Sequence, residues 1–535
     1  MTSFGVTVKN IADCELKVTE ISEGTVKQKD ELQKTITEDY CYHHFVVLQA
    51  VVSSGEYSGY NTPPMYGDFE AQRHWMEITI HLPIKQWYIN GSSNNLNYWG
   101  LDYPPLTAYH SWILGKISEC FDPSWVALTA SRGIEKPEHK LFMRVSVMLT
   151  MLFLYAPAII LLIRKNDETK SVHIKIASII AVLCYPGLIF VDNGHFQYNH
   201  IALGIFLWSI LCFESRRYYA GSMLFMLALN FKQMELYHAL PVFVFLLSRS
   251  ISQKGSIWTR INTSFSNLCK LAVVVLIVFS LLWAPFLFSM NSNGIWLDFE
   301  LMTKVLRRIF PLYRGVFEDK VANFWCCTSV IFKVKNYYSN ETLAMFRHPS
   351  ERNFRMCLVI SSLSFYLFSF QVHEKSILMA AIPALLCLND LPRTVPWFLS
   401  ISLFSMYPLC IKDGMAEILP LFLTYHLFTC SNVFGKNAGE NKLVSAFRIL
   451  NLVVAVSLCA LLLFAQPPDR YPHLFELFNV LFSFGHFCAF WLLANIRLVQ
   501  WNCFRIVPTK LKFLDFVVIF VNVFIKDVKK AISCW

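Results

Sequence analysis

Leu271-Ala-Val-Val-Val-Leu-Ile-Val-Phe-Ser-Leu-Leu-Trp-Ala-Pro-Phe-Leu-Phe-Ser-Met290 runs for twenty residues without a charged side chain. That is the length an α-helix needs to cross a hydrocarbon layer roughly 30 Å thick. Within such a layer only a helix or a closed barrel satisfies its own backbone polar groups. Shorter apolar runs recur on both sides. Hydropathy predicts about 11 spans after a first polar loop, with candidate cores at Val145–Ile163, Ile174–Phe190, Ile201–Phe213, Gly221–Phe231, Ala239–Leu247, Leu271–Met290, Cys357–Phe370, Ser376–Leu388, Pro396–Ile411, Ile418–Cys430, Leu450–Phe464 and Leu474–Leu493. Several are short for a simple span, and Pro186, Pro241, Pro285 and Pro383 interrupt them. Short, proline-broken helices belong where a bundle encloses a polar cavity.

Composition supports an all-α polytopic membrane protein. Of 535 residues, 55% are hydrophobic and only 16% charged, with a mean hydropathy of +0.42; soluble domains carry roughly 25% charged residues. The net charge of +10 does not point to nucleic acid, because the basic residues sit in short loops beside apolar runs, where they act as orientation signals. The sixteen cysteines show no CxxC array and are expected to be small buried hydrophobes. Residues 1–42 are polar, with no cleavable signal pattern, and the run Phe45–Val52 is expected to be too short to span.

The Lys/Arg bias assigns one side to the cytosol: Arg164-Lys165, Arg216-Arg217, Arg249 to Lys270, Arg347 to Arg355, Lys436 to Arg448 and Lys526–Lys530. The opposite side receives 57–140, Asp192–Asn199, Lys232–His238, Asn291–Asn323 and, if Val321–Phe332 crosses, His373–Lys375, which hold nearly every acid, His and Trp cluster outside a span. The expected organisation is a leader over 1–56, a first lumenal loop over 57–140 and a multi-span domain over 141–535. Asn90-Gly-Ser92 fits an N-glycosylation sequon in that loop, whereas the sequons at Asn262 and Asn340 fall in basic loops.

The first loop is the richest in chemistry: Met65-Tyr-Gly-Asp-Phe-Glu-Ala-Gln-Arg-His-Trp75, then Tyr98-Trp-Gly-Leu-Asp-Tyr-Pro-Pro-Leu-Thr-Ala-Tyr109. Asp68 is a candidate general base for a sugar hydroxyl, or alternatively a cap for a helix running through Ala71–Ile80. Glu70, with Glu77 two turns further on, adds carboxylates. Arg73 and His74 have donors suited to a phosphate oxygen, and they are equally ordinary at a membrane interface. Trp75, Trp87, Tyr88, Tyr98, Trp99, Tyr103, Tyr109 and Trp112 form an interfacial belt or stack on sugar rings. Lys304, Arg307 and Arg308 share one helical face, followed by Arg314 and Lys320. A basic patch on the non-cytosolic side needs a reason; a lipid-linked phosphate supplies one, and a misassigned topology is the alternative. His373-Glu374-Lys375 interrupts two apolar runs and marks a functional site by default, unless Glu374 and Lys375 merely satisfy each other. His195 and His238, each with nearby acids, match no zinc spacing, so no metal is expected.

These residues, in this order, resemble the dolichyl-phosphate-glucose-dependent glucosyltransferases of asparagine-linked glycosylation. The resemblance rests on Gly67-Asp-Phe-Glu-Ala-Gln-Arg-His-Trp75, Leu101-Asp-Tyr-Pro-Pro105, Gly194-His-Phe-Gln-Tyr-Asn199, Lys232-Gln-Met-Glu-Leu-Tyr-His238, Phe317-Glu-Asp-Lys-Val-Ala-Asn323 and Val372-His-Glu-Lys-Ser376. It runs from about Ser58 to Pro468. It implies a C-type glycosyltransferase (GT-C) fold in the endoplasmic-reticulum membrane, with lumenal loops forming the site. It also implies inverting transfer of glucose from dolichyl β-D-glucosyl phosphate, in α-1,3 linkage, to the terminal mannose of a dolichyl-diphosphate-linked high-mannose oligosaccharide, with no cofactor. The member adding the innermost glucose is preferred. The member adding the second glucose lacks the Gly-Asp-aromatic-Glu-Ala-Gln run. On this resemblance Asp68 is the base, and His373, Lys375, Arg307 and Arg308 bind the donor phosphate. Glu70, Arg73, His74, Trp75, Asp102, Tyr103, His195, Gln197, Glu235 and His238 are expected to bind substrate. The chain departs from the family in its weak first apolar segment and in a shortened stretch between Lys335 and Arg355. A lipid or solute transporter is the rival class, but no internal repeat supports it.

Overall fold

The computed structural model describes residues 41–166, 172–251, 255–291, 294–310, 350–369, 372–430 and 442–502. The leader 1–40, the segment holding Arg314, Lys320 and Asn323, the sequon at Asn340, Lys436 and the tail at Lys526–Lys530 lie outside them.

Regular secondary structure among the described residues is helical apart from one short hairpin. A short helix, α1 (41–54), carries the weak apolar segment, with Phe45 and Val52 buried. Next come α2 (Gly67–His81), α3 (Pro105–Phe121), α4 (Pro137–Lys165), α5 (Ile174–Phe196), α6 (Asn199–Glu214), α7 (Tyr218–Phe231), α8 (Leu236–Ser250) and α9 (Ile257–Leu287). Strands β1 (Phe288–Asn291) and β2 (Gly294–Leu297) pair antiparallel, Phe288 opposite Leu297, and lead into α10 (Phe299–Ile309). The chain continues with α11 (Glu351–Phe368), α12 (Leu378–Leu386), α13 (Thr394–Ser405), α14 (Tyr407–Lys412), α15 (Leu419–Thr429), α16 (Lys442–Phe464) and α17 (Leu474–Asn502).

The expected apolar cores coincide with helices in the main. Phe370 lies outside the described residues, Pro396–Ile411 divides between α13 and α14, and Ser376–Leu388 and Ile418–Cys430 overrun α12 and α15. The largest adjustment is at α9. That helix starts earlier, at Ile257, and ends at Leu287, so Phe288–Met290 belong to β1. Six helical stretches among the described residues are long and apolar enough to cross a membrane. The chain is a membrane protein. Its layering follows from what each span shows to lipid. Ile174–Phe196 is 72% buried within the protein and lies at the centre, whereas Ala446–Phe464 is 11% buried and presents Ile449, Leu450, Val453 and Phe464 outward. Around the centre α6 packs on α7, α8 on α11, and α17 on both α11 and α13.

The bundle has two chemically distinct ends. At one, Lys165 meets Ser215 and the Arg355 guanidinium meets Glu214 at 2.8 Å, which gathers the basic loops together. The other end collects the first loop, the α5–α6 and α7–α8 connections, the hairpin with α10, residues 372–375 and the α14–α15 turn.

Two local distortions set the geometry at that second end. The last two turns of α5, Phe190–Phe196, are wound as a π-helix, a geometry often found at functional sites. Phe196 follows at φ 85°, a costly conformation for a bulky residue, and it throws Gln197 into an extended backbone. In the first loop, Gly59 (φ 82°) and Gly67 (φ 68°) bring two backbone segments together just before α2. A Cβ on Gly59 would lie 1.9 Å from the Tyr66 carbonyl carbon, and one on Gly67 would lie 2.6 Å from that of Ser58. Only glycine fits this neck.

Candidate active site

Asp68 enters α2 one residue after Gly67, and its side chain makes no cap: the helix is preceded by Tyr66 at φ 60° with no side-chain cap bond. The carboxylate instead reaches across the bundle end. Oδ2 lies 2.9 Å from His195 Nε2 and accepts from Gln197 Nε2 at 2.5 Å and from Lys375 Nζ at 2.7 Å. Three donors from two distant segments converge on one oxygen. Among the described residues Oδ1 has no donor, and the side chain keeps 23% of its exposure. Burial by itself would raise the carboxyl pKa, but the charges of Lys375 and His195 outweigh it and hold Asp68 well below its ordinary range. The ammonium of Lys375 is held above its ordinary range in turn: burial works against the charge, and Asp68 and Glu374 overcome it.

The network extends behind Asp68. Gln197 Oε1 accepts from Lys232 Nζ at 3.2 Å and from Asn199 Nδ2 at 3.1 Å, and Lys232 also donates to Asn199 Oδ1. Asn199 Nδ2 reaches Asp192 Oδ1 at 2.7 Å, while Asp192 Oδ2 accepts from the His200 backbone at 2.6 Å and faces His200 Nδ1 at 2.7 Å. Among the described residues Lys232 has no carboxylate in direct contact, and it sits 4.8 Å from the Tyr103 ring centre. Burial lowers its pKa to about 8, with Asp192 opposing. Gln233 next to it donates to the carbonyls of Asp102 and Ile309 at 3.2 and 3.3 Å, which ties the first loop, the α7–α8 connection and α10 together.

His373 is exposed beside this network. On α10, Arg307 is exposed, Lys304 pairs with Glu300 at 2.7 Å, and Arg308 donates to the carbonyls of Leu101 and Gly100 at 3.2 and 2.7 Å. Arg308 thus holds the loop that carries Asp102 and Tyr103, both half-buried.

Other candidates are placed elsewhere. Glu70, Arg73, His74 and Glu77 form a separate buried cluster. Arg73 donates to both Glu70 oxygens at 2.7 Å, to Glu77 Oε2 at 2.6 Å, to Ser131 Oγ and to the Trp125 carbonyl. Those contacts occupy all five guanidinium N–H groups, so none remains for a phosphate. His74 faces Glu77 at 3.1 Å, and Tyr98 donates to Glu70. Trp75 is buried, donating to the Trp99 carbonyl with its ring edge on Tyr103. Trp87, Tyr88 and Tyr109 anchor the loop on α9 through Phe286 and Leu282. Glu235 and His238, both fully buried, hold each other at 2.7 Å. His238 also reaches the Met379 carbonyl at 2.9 Å and stacks on Phe206. They staple α8 to α12.

The sequence reading gave no role of their own to Lys232 and Asn199, which it carried only within the motifs Lys232–His238 and Gly194–Asn199, and it did not mention Asp413, whose Oδ2 lies 2.5 Å from His195 Nδ1. The Asp413-Gly414 pair reads as a helix end, and nothing in its neighbours hints at a histidine 218 positions away. Among the described residues no group of three His, Cys, Asp or Glu side chains could hold a metal ion.

The arrangement can do one thing well. It presents a single carboxylate oxygen, on an otherwise immobilised acid, to a polar molecule arriving from outside, with ammonium groups close enough to meet an anion. Comparison with known proteins agrees in kind. Residues 45–345 and 337–493 match the ALG6, ALG8 glycosyltransferase family. The chain is 42% identical over 458 residues to a probable dolichyl pyrophosphate Man9GlcNAc2 alpha-1,3-glucosyltransferase of Caenorhabditis elegans, covering 83% of this chain and 86% of that one. It is 42% identical over 502 residues to the dolichyl pyrophosphate Man9GlcNAc2 alpha-1,3-glucosyltransferase of Gallus gallus, covering 85% and 95%. A probable enzyme of the same name from Schizosaccharomyces pombe is 38% identical over 484 residues, covering 85% and 90%.

Proposed function

The chain belongs to the ALG6, ALG8 glycosyltransferase family, and on that premise we propose that Asp68 is the base of a glucosyl transfer onto a lipid-linked oligosaccharide. The protein is a hexosyltransferase of the GT-C class. It transfers glucose in α-1,3 linkage to the terminal mannose of the dolichyl-diphosphate-linked high-mannose glycan. The relatives' named acceptor, Man9GlcNAc2, carries no glucose, which favours addition of the first glucose over the second. The donor we infer is dolichyl β-D-glucosyl phosphate, used with inversion, and the site faces the endoplasmic-reticulum lumen, opposite the basic loops. The same orientation makes 57–140 the first lumenal loop, after the leader 1–56, and 141–535 the multi-span membrane domain.

One observation carries the reading: Asp68 is gripped through Oδ2, and among the described residues nothing donates to Oδ1. In the reaction Oδ1 takes the proton of the mannose hydroxyl. The hydroxyl oxygen bonds to the anomeric carbon from the face opposite the phosphate, and the bond from that carbon to the phosphate oxygen breaks. Dolichyl phosphate leaves with the electron pair. Lys375, already at the carboxylate, and the nearby His373 and exposed Arg307 are the groups we assign to the departing charge. A base so strongly stabilised as an anion is weak. Engagement of Lys375 by the donor phosphate removes a cation from Oδ2 and restores basicity when it is needed.

The test is glucose transfer by purified protein from dolichyl-phosphate-glucose to the unglucosylated acceptor, with the released glycan sized. One added hexose is expected, and Asp68→Asn abolishes it. Activity confined to an already monoglucosylated acceptor would move the assignment to the second transfer. Normal turnover by Asp68→Asn would remove Asp68 from the chemistry.

A further inference from the structure

The turn after α14 brings a carboxylate to a place where neither burial nor the helix favours one. Asp413 is 7% exposed and caps the C-terminus of α14, where the backbone dipole repels an anion. Its position is built with some care. Gly414 Nα–H bonds the Ile411 carbonyl at 3.1 Å and Met415 bonds that of Cys410 at 2.8 Å, with Gly414 at φ 71°; this is a Schellman ending, which needs the left-handed residue. Met415 then docks on the π-helical end of α5. A Cβ on Gly194 would come within 2.7 Å of its Cε and 2.8 Å of its Sδ, so a side chain there would displace the thioether. The turn is thereby pressed against the residue preceding His195.

His195 is held from both sides. Nδ1 faces Asp413 at 2.5 Å, and Nε2 faces Asp68 at 2.9 Å and Lys375 at 2.8 Å. A neutral imidazole carries one proton. With a carboxylate facing each nitrogen, His195 is instead the imidazolium, Nδ1 donating to Asp413 and Nε2 to Asp68 beside the Lys375 ammonium. When Lys375 turns to another anion, Nε2 keeps its bond to Asp68 and Asp413 goes on balancing the imidazolium charge. In both states Asp413 sets the plane and supports the charge of the ring.

We propose that Asp413 is a positioning residue for glucosyl transfer, acting through His195 to hold Oδ2 of Asp68 and keep Oδ1 turned toward the acceptor hydroxyl. The proposal rests on Asp68 being the base.

The experiment uses the full-length purified protein with dolichyl-phosphate-glucose and the unglucosylated acceptor. It compares Asp413→Asn, Asp413→Glu, His195→Gln and the double variant Asp413→Asn/His195→Gln. Misplacing a reacting group by about 1 Å costs on the order of 10²-fold, so Asp413→Asn is expected to lose about that much in kcat with little change in either KM. Less positive charge then faces Asp68 from His195, leaving Lys375 as its remaining cation. The acid limb of the rate profile should therefore move to higher pH. Asp413→Glu should recover part of the loss, and Asp413→Asn should add nothing in the His195→Gln background. Wild-type kcat and pH profile in Asp413→Asn would overturn the proposal, as would a loss that multiplies with that of His195→Gln. Failure of the isosteric Asp413→Asn chain to accumulate folded would also overturn it, by making the residue a structural anchor. Turnover surviving in Asp68→Asn would sink the base assignment instead, whatever Asp413→Asn does.

Discussion

Two ionic clusters grow from the first three turns of α2, and they differ in one respect that decides what each can do. In the first, Glu70, Glu77 and Arg73 saturate one another: five guanidinium N–H groups meet five acceptors, and Thr129 and His74 complete the coordination of Glu77. In the second, Asp68 has cations of its own but spends only one oxygen on them. Both combine carboxylate, cation and histidine. A closed cluster can only hold the fold, here by clamping residues 125–131 onto the helix. An open one has capacity left for a substrate. Counting unspent donors and acceptors separates the two more sharply than identity, charge or position in a motif.

That contrast can be broken by experiment, beginning where the effect is largest. Asp68→Asn should cost up to roughly 10⁴-fold in turnover, the upper range for a general base, while the protein still inserts and purifies. Arg73→Met should do the reverse. Stranding two buried carboxylates costs about 3–5 kcal/mol, seen as a lower unfolding temperature in detergent, yet molecules that remain folded should turn over normally. An Arg73→Met protein of ordinary stability that has lost activity would put the closed cluster in the chemistry and refute the distinction.

Lys375→Gln sharpens the comparison. Losing one charge-assisted bond, worth about 1.5–3 kcal/mol, should weaken donor use by roughly 10- to 100-fold. The cation also depresses the Asp68 pKa, so its removal raises that pKa and shifts the acid limb of the rate upward. A limb that stays put would mean that Lys375 does not tune the base. The smallest effect is expected at the exposed Lys304–Glu300 pair on α10, about 50% and 79% exposed. Lys304→Ala should change stability by less than about 1 kcal/mol and leave kinetics unaltered. A larger loss would show that α10 meets lipid phosphate through Lys304.

The helices were readable from apolar runs because lipid and protein interior reward the same side chains. The limits lay where a span bends. Nothing in Phe190–Phe196 announces a π turn, and the end of α9 at Leu287 depends on pairing of Phe288 with Leu297, a non-local event. At the site, Asp68, His195, Gln197 and Lys375 stood out as polar residues at span ends, though the 127 positions between Asp68 and His195 hid that they touch. Arg73 and His74 stood out for the same reason and turned inward, since spacing of three or four residues shows which side chains can meet but not whether water reaches them. Lys232 looks in sequence like a lysine extending from an apolar helix to the interface; its contact with Gln197 belongs to the folded state alone.

The neck at Gly59 and Gly67 has a consequence for how variants of this protein should be read. It sets the height at which Asp68 leaves the backbone, and any methyl group at either position must push the two segments apart and carry the carboxylate off with them. Surveys that rank positions by reactive chemistry would pass over both, so two of the places where a single change would silence the protein have no side chain with which to react.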